Sequence, residues 1–259
     1  MVTVALDAMG GDYSPEEIIK GAFDALKKDK DINVILVGKK EVLEGKVIKE
    51  FEDRCSVVYS TEVITNEEAP VAAIRAKKDS SIVVGMNLVK EGKADGFVSA
   101  GSTGAVLVGG QLIVGRIKGI LRPALAPLLP TEKGVSLLID CGANVDARAE
   151  HLVQFARIGS LYMEKVIGIK NPRVGIVNIG AEEEKGNALV KETMPLLKEC
   201  CDINFIGSIE AREIPKGGAD VIVCEAFVGN VIIKLYEGVG STLLGKIKEA
   251  LTKSIFTKI

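Results

Sequence analysis

Tryptophan is absent from the 259 residues, aromatics make up only 4%, and histidine occurs once. So few aromatic faces leave little with which to stack nucleobases. A Ser-His-Asp or Cys-His arrangement would have to run through the single histidine, His151, which opens a helical pattern and reads as a capping or surface residue instead. The five cysteines (Cys55, Cys141, Cys200, Cys201, Cys224) are odd in number and scattered. They show no C-x-x-C and no Cys/His ligand spacing, which argues against a zinc site and predicts reduced thiols in a cytosolic protein. Charge of one sign is not in excess either: 33 basic and 35 acidic residues give a formal net charge of −2. A nucleic-acid binder usually carries a clear basic surplus, so no nucleic-acid partner is expected. No apolar run approaches the roughly 18 residues of a membrane span. The N-terminus reaches Asp7 after only a few apolar residues, unlike a signal peptide. Neither G-x-G-x-x-G nor G-x-x-x-x-G-K-[ST] occurs, which weakens dinucleotide binding and P-loop chemistry.

What is present is a hydrophobic fraction of 47%, enough for a large core in one α/β domain or two smaller ones. Val2 to Leu6 is β-rich, and Ser14-Pro-Glu-Glu17 reads as a capping box with proline at the first helical position. The helix that follows carries Ile18, Ile19, Ala22, Phe23, Ala25 and Leu26 on a 3.6-residue period and ends in lysines. Strands are predicted over 33–38 and 56–60 with a polar helix between them, then helices over 67–80 and 81–91 before a strand at 96–99. Leu121 to Pro130 holds three prolines and reads as an extended apolar connector. A buried strand over 135–139, a helix from about 149 to 166, a strand over 173–179, another helix, and strands at 203–206 and 221–224 complete the pattern. Strand and helix in alternation imply an α/β fold with a largely parallel sheet sandwiched by helices, with ligands at the carboxyl ends of the strands. We read residues 1–259 as a single α/β catalytic domain with a subdomain boundary near 118–134.

Four strand-end loops mix glycine with Asp, Asn, Ser or Lys: 7–12, 99–104, 140–144 and 180–187. Glycine and Asn/Asp also serve as plain turn residues, so one such loop alone decides nothing. Four at one sheet edge favour a common ligand site. In the second loop Gly101 and Gly104 permit close backbone approach, while Ser99, Ser102 and Thr103 offer hydroxyls where a helix begins, a setting suited to an anion. Lys185 stands at a helix start, unfavourable for the macrodipole unless an anion lies nearby. The alternative is that it offsets Glu182, Glu183 and Glu184. Arg122 precedes Pro123 and is extended, suited to bidentate contact with an anion or to a solvated loop. Asp7, Asp12, Asp140 and Glu225 have the chemistry for magnesium, but each reads equally well as a cap or turn residue, so no metal or cofactor is assigned.

Asp7-Ala-Met-Gly-Gly-Asp12, Ser99-Ala-Gly-Ser-Thr-Gly-Ala105, Arg122-Pro-Ala124, Asp140-Cys-Gly-Ala-Asn144, Gln154-Phe-Ala156, Asn178-Ile-Gly180, Lys185-Gly-Asn187 and Phe227-Val-Gly-Asn230 together resemble the bacterial phosphate acyltransferase (PlsX) family. The resemblance spans nearly the whole chain and keeps the family's order. It implies transfer of a long-chain acyl group from acyl carrier protein to inorganic phosphate, giving acyl phosphate for phospholipid synthesis. It also implies a homodimer and a fold like the isocitrate and isopropylmalate dehydrogenases and phosphotransacetylase. Three departures stand out: Ser102 replaces the usual Asn, Glu210-Ala-Arg-Glu-Ile214 replaces E-G-R-D-I, and Glu225-Ala-Phe227 replaces D-G-F. On this reading phosphate is held by Ser99, Gly101, Ser102, Thr103 and Gly104 with Lys185 and Arg122. Asn144, Asn187 and Asn230 orient the substrate or donate to the oxyanion, and Asp7 and Asp140 orient those donors.

The last segment, 243–259, places Leu244, Ile247, Leu251 and Ile255 on one helical face among Lys246, Lys248, Lys253 and Lys258. Such a basic amphipathic helix suits packing on its own protein or a dimer mate, or peripheral contact with the inner face of the membrane and a membrane-bound acylglycerol-phosphate synthesis partner. It reaches the last residue with no cap or breaker, which predicts a longer natural chain. Three readings compete with this one: a phosphotransacetylase acting on short acyl-coenzyme A thioesters, a metal-dependent hydroxyacid dehydrogenase, and a non-catalytic membrane-recruiting scaffold.

Overall fold

The computed structural model describes residues 1–182 and 184–252. The chain divides into two units, residues 1–118 and residues 119–259, each built on its own sheet. The strand-and-helix alternation is therefore spread over two largely parallel sheets, and the four glycine-rich loops sit two to a sheet instead of sharing one edge. Sequence periodicity identifies strands but carries no information about which of them pair, so on its own it implies one sheet where the structure has two.

In the first unit β1 (Val2–Asp7), β2 (Ile32–Gly38), β3 (Cys55–Tyr59) and β4 (Gly96–Val98) pair in the order β3-β2-β1-β4, all parallel. The helix α1 (Glu16–Lys28) buries Ile19, Ala22 and Leu26 in a cluster with Leu36, Leu43 and Phe51 and keeps Lys27 and Lys28 in its last turn. The capping box does not form, because the Ser14 hydroxyl donates to the Met9 carbonyl at 3.1 Å and makes no cap bond. The polar helix expected after β2 shrinks to α2 (Lys40–Leu43) and a single 3-10 turn at Lys49–Phe51. Only Pro70–Ala76 of the predicted 67–80 helix is helical (α3). Glu68 is instead occupied in a turn, where it accepts from Thr65 N–H and from the Lys77 ammonium. Then come α4 (Ser81–Lys90), capped by Ser80, and α5 (Thr103–Gly109).

The second unit holds β5 (Leu128–Thr131), β6 (Gly134–Ile139), β7 (Arg173–Asn178), β8 (Asn204–Glu210) and β9 (Val221–Val223), ordered β5-β6-β9-β7-β8. Every pairing is parallel except β5 with β6. β5 is the end of the proline-rich segment read as a connector; it is an edge strand, where Pro130 costs no ladder bond. The three middle strands bury Leu137, Ile139, Val174, Ile176, Val221 and Val223 with Leu152 and Phe155 of α6 (Ala149–Tyr162) and Met194 and Leu197 of α7 (Ala188–Lys198). The long helix expected to reach Val166 ends at Tyr162, where a wider π-type turn, Met163–Ile167, leads to Gly168 in the left-handed region. The last helix, α8, spans Ala226–Thr252. Leu243, Leu244, Ile247 and Leu251 along it are all more than half exposed. Among the described residues no helix is long and apolar enough to cross a membrane. Residues 253–259, including Lys253, Ile255 and Lys258, lie outside the described residues, as does Glu183.

The entry to β7 is pinned by one ion pair. Arg173 donates through Nε and Nη2 to Asp220 at 3.1 and 2.9 Å and reaches the Gly217 and Gly218 carbonyls. Burial opposes ionisation of Asp220, but the hydrogen bonds from the Arg173 side chain and backbone outweigh it and hold the carboxyl below its usual range. A carboxylate with a depressed folded-state pKa contributes stability above its unfolded pKa, and loses it as pH falls through the folded value. Asp220→Asn is therefore expected to lower the Tm at pH 7 and to narrow the gap from wild type below about pH 4. Thermal melts across pH check this, and a gap that stays constant down to pH 3 would contradict it.

Candidate active site

In the first unit β1 and β4 are adjacent and parallel, so the loops that leave their carboxyl ends meet. Asp7, 1% exposed, ends β1. Its Oδ2 accepts from the Ser99 hydroxyl at 2.7 Å and its Oδ1 from Met9 N–H at 3.0 Å. Ser99 Oγ accepts in turn from Gly101 N–H at 3.0 Å. A Cβ on Gly10 would lie 2.6 Å from Gly101 N and 2.7 Å from Asp7 Oδ2, so the approach of the two loops requires glycine there. The Ser99 hydroxyl and the Gly101 N–H, read from sequence as anion donors, are both occupied inside this Asp7–Ser99–Gly101 relay. Ser102 caps α5 by accepting from Ala105 N–H at 3.3 Å. Serine serves at a helix N-cap as well as asparagine does, so the departure at 102 keeps this local function. Thr103 and Gly104, exposed and half-buried, head the helix with N–H groups that have no carbonyl partner in the first turn.

In the second unit β6, β9 and β7 are adjacent and parallel, so the loops after 139, 223 and 178 lie along one edge. Asp140 is 0% exposed. Its Oδ1 accepts from Leu125 and Ala143 N–H at 3.0 and 3.1 Å, and its Oδ2 from Asn144 N–H and Nδ2 at 2.8 Å each. Asn144 Nδ2 also donates to Pro123 O at 2.7 Å. Both amide hydrogens of Asn144 are therefore committed, and the expected oxyanion donor is instead a brace between the 140–144 loop and the segment that carries Arg122. A Cβ on Gly229 would collide with the Asp140 carbonyl, so α8 lies directly against this loop.

Asn187 is the N-cap of α7, accepting from Val190 N–H at 2.9 Å through Oδ1. Lys185, two residues before it, is exposed, with no side-chain partner among the described residues. Arg122 and Asn230 are exposed as well, and neither is engaged among the described residues. Sequence reasoning left out Asn178 as a site residue. It is 7% exposed, its Nδ2 donates to Lys185 O at 3.2 Å and Ser208 Oγ at 3.0 Å, and Oδ1 accepts from Ile179 N–H. Gly186 is left-handed at φ 107° and so close that a Cβ there would lie 2.7 Å from Asn178 Oδ1. The signal was a buried asparagine closing an apolar strand. Glu225, weighed as a metal ligand, caps α8 by accepting from Phe227 and Val228 N–H at 2.6 and 3.0 Å. Among the described residues no three His, Cys, Asp or Glu side chains gather in a cluster that would hold an ion. His151, 7% exposed, accepts from Arg148 N–H through Nδ1 at 3.1 Å and so caps α6. Burial pushes the Cys141 thiol up to about 11, helped by the neighbouring Asp140 charge, and raises Cys224 well above its ordinary value, so neither is a ready thiolate.

Two units, each built on a largely parallel sheet, give a fold shared with phosphotransacylases. The chain superposes on the EutD phosphotransacetylase from Staphylococcus aureus with a TM-score of 0.65, at 18% identity, covering 93% of this chain and 82% of that one. It superposes on a branched-chain phosphotransacylase from Enterococcus faecalis with a TM-score of 0.58, at 16% identity, covering 90% and 83%. Sequence gives the family. Residues 2–259 match the family described as fatty acid synthesis protein. The phosphate acyltransferase of Thermoanaerobacter pseudethanolicus is 53% identical over 256 residues, 99% of this chain and 76% of the relative. That of Alkaliphilus oremlandii is 53% identical over 258 residues, again 99% and 76%. The chain belongs to the phosphate acyltransferase (PlsX) family of acyltransferases.

Proposed function

We propose that this protein transfers a long-chain fatty acyl group from acyl carrier protein to inorganic phosphate, giving acyl phosphate. The observation that carries the reading is 53% identity to a phosphate acyltransferase across 99% of the chain. A phosphate oxygen attacks the thioester carbonyl, so the C–O bond forms as the carbonyl π pair moves to oxygen. Collapse of that oxyanion expels the carrier's sulfur with the C–S bonding pair, and the thiolate takes up a proton from water. No protein nucleophile is needed, so the enzyme's work is positioning and charge stabilisation.

The exposed residues suit that work. In the second unit Lys185 and Arg122 supply positive charge to phosphate and Asn230 offers an uncommitted amide; in the first unit, taken by itself, Thr103 and Gly104 offer N–H groups and a hydroxyl to an anion. Asp7, Ser99, Gly101, Asp140, Asn144 and Asn187 become positioning residues on this reading, since their hydrogen bonds hold the loops. The exposed stripe of Leu243, Leu244, Ile247 and Leu251 on α8 supports a homodimer, as apolar patches of this kind are normally covered.

Palmitoyl-acyl carrier protein with phosphate and hydroxylamine, without nucleotide or nicotinamide, is expected to yield fatty hydroxamate. Absence of product above a boiled control would sink the reading. Faster turnover of acetyl-coenzyme A than of the carrier thioester would turn it into a short-chain phosphotransacetylase.

A further inference from the structure

The second unit contains a cavity of about 560 Å³ that the chemistry above does not use. Its lining is mainly apolar, with Glu210, Arg212 and Glu225 as its charged members: Ile176 is 0% exposed, and Leu189, Val190, Val231 and Ile232 line it beside Ile176. Ile179 and Phe227 line it too, yet are 79% and 65% exposed. Large apolar side chains left in water, one just past β7 and one in the first turn of α8, beside a buried apolar lining mark a binding site. The cavity is continuous with the loop that carries Lys185, because Gly186, Asn187 and Asn178 also line it.

We infer that this cavity receives the hydrocarbon chain of the acyl donor, and that Val231 helps set the chain length accepted. The inference rests on the acyl-transfer reading, since only that reading supplies the chain. Size agrees: at roughly 30 Å³ for each water-sized group, the space holds a tail of more than ten methylenes. Chemistry agrees as well, because a tail offers no hydrogen-bonding group and the aliphatic walls at Ile176, Leu189, Val190, Val231 and Ile232 ask for none. The polar side chains Asn178, Asn187, Glu210, Arg212 and Glu225 sit at or just past the strand ends and at a helix start, where the polar thioester belongs.

Val231 is half exposed on α8 and lines the cavity, so a larger side chain there narrows the cavity without entering the core. These 259 residues hold no tryptophan, so Val231→Trp adds a single indole to them whose fluorescence reports occupancy independently of turnover. Palmitate is expected to shift or quench that emission saturably, while butyrate at equal concentration does not. In the hydroxamate assay Val231→Trp should lower kcat/KM for the 16-carbon carrier thioester at least tenfold more than for the 4-carbon one. Val231→Ala, which widens the same wall, should move the profile the other way. A folded Val231→Trp with an unaltered chain-length profile and no palmitate-dependent change in emission overturns the inference, even if acyl phosphate is made. If instead no donor yields acyl phosphate with wild type but palmitate still perturbs the indole, the transfer reading fails and the apolar site stands.

Discussion

Replacing Asp140 with alanine is expected to lower the Tm by on the order of 10 °C and to abolish turnover. The carboxylate is fully buried and accepts four hydrogen bonds, from three backbone N–H groups and from the Asn144 amide. Each buried donor left without an acceptor costs ~1–3 kcal/mol, although water entering the space relieves part of it. A net loss of about 3–5 kcal/mol, at roughly 2–4 °C per kcal/mol for a chain of this size, gives that shift. The damage spreads, because Asn144 would lose its anchor while still holding Pro123, and α8 rests on the same loop through Gly229. Asp140→Asn should fall between, since it keeps one oxygen but turns a donor toward Asn144 N–H. Asp146→Ala, a few residues on and exposed, should melt within about 2 °C of wild type, as surface substitutions do. Differential scanning calorimetry of the three variants decides. A melt for Asp140→Ala as close to wild type as that of the control would mean that the loop re-forms without its carboxylate.

How far the sequence could be read follows from what its patterns encode. The 3.6-residue spacing of Ile19, Ala22 and Leu26 in α1 and the apolar run Val221-Ile222-Val223 specify their elements locally, and both form as expected. Glycine-rich loops after β1, β4, β6 and β7 were legible because turn chemistry is also local. Strand pairing was not legible: β6 joins β9 across more than 80 residues of chain, and nothing in either segment names the other. The same limit applies to the candidate site. Residue type identified Ser99, Asn144 and Asn187 as donors or acceptors, but whether a group is free depends on neighbours brought in from elsewhere. Asp7 occupies the Ser99 hydroxyl from 92 positions away, and Pro123 occupies the Asn144 amide. Asn187 is held by its own helix, a cap that the sequence pattern does contain. The apolar cavity was invisible for a further reason, since its walls come from β7, α7 and α8 and each wall residue alone reads as ordinary core.

Lys185→Met is expected to lower kcat/KM for phosphate by about 100-fold or more while leaving the Tm within about 2 °C of wild type. The separation of the two readouts follows from how the loop is held. Asn178 fixes the Lys185 carbonyl, Gly186 packs on Asn178, and Asn187 caps α7, so the backbone keeps its course whatever side chain stands at 185. The ammonium itself is exposed and touches no partner among the described residues. It also stands just before the positive end of α7, where a cation is disfavoured by the helix dipole and an anion would relieve the conflict. A charge kept against its local electrostatics and given no structural partner is best explained by a substrate that carries the opposite charge. Raising the phosphate concentration should rescue only the share of the loss that lies in ground-state binding, and leave a kcat deficit for the share realised in the transition state. Lys185→Arg, which retains the charge but changes reach and geometry, should recover part of the rate. Near-normal turnover with a melt several degrees lower would instead make Lys185 a structural counterion to Glu182 and Glu184. The phosphate charge would then have to come from Arg122, whose substitution by methionine in the same assay would carry the larger loss.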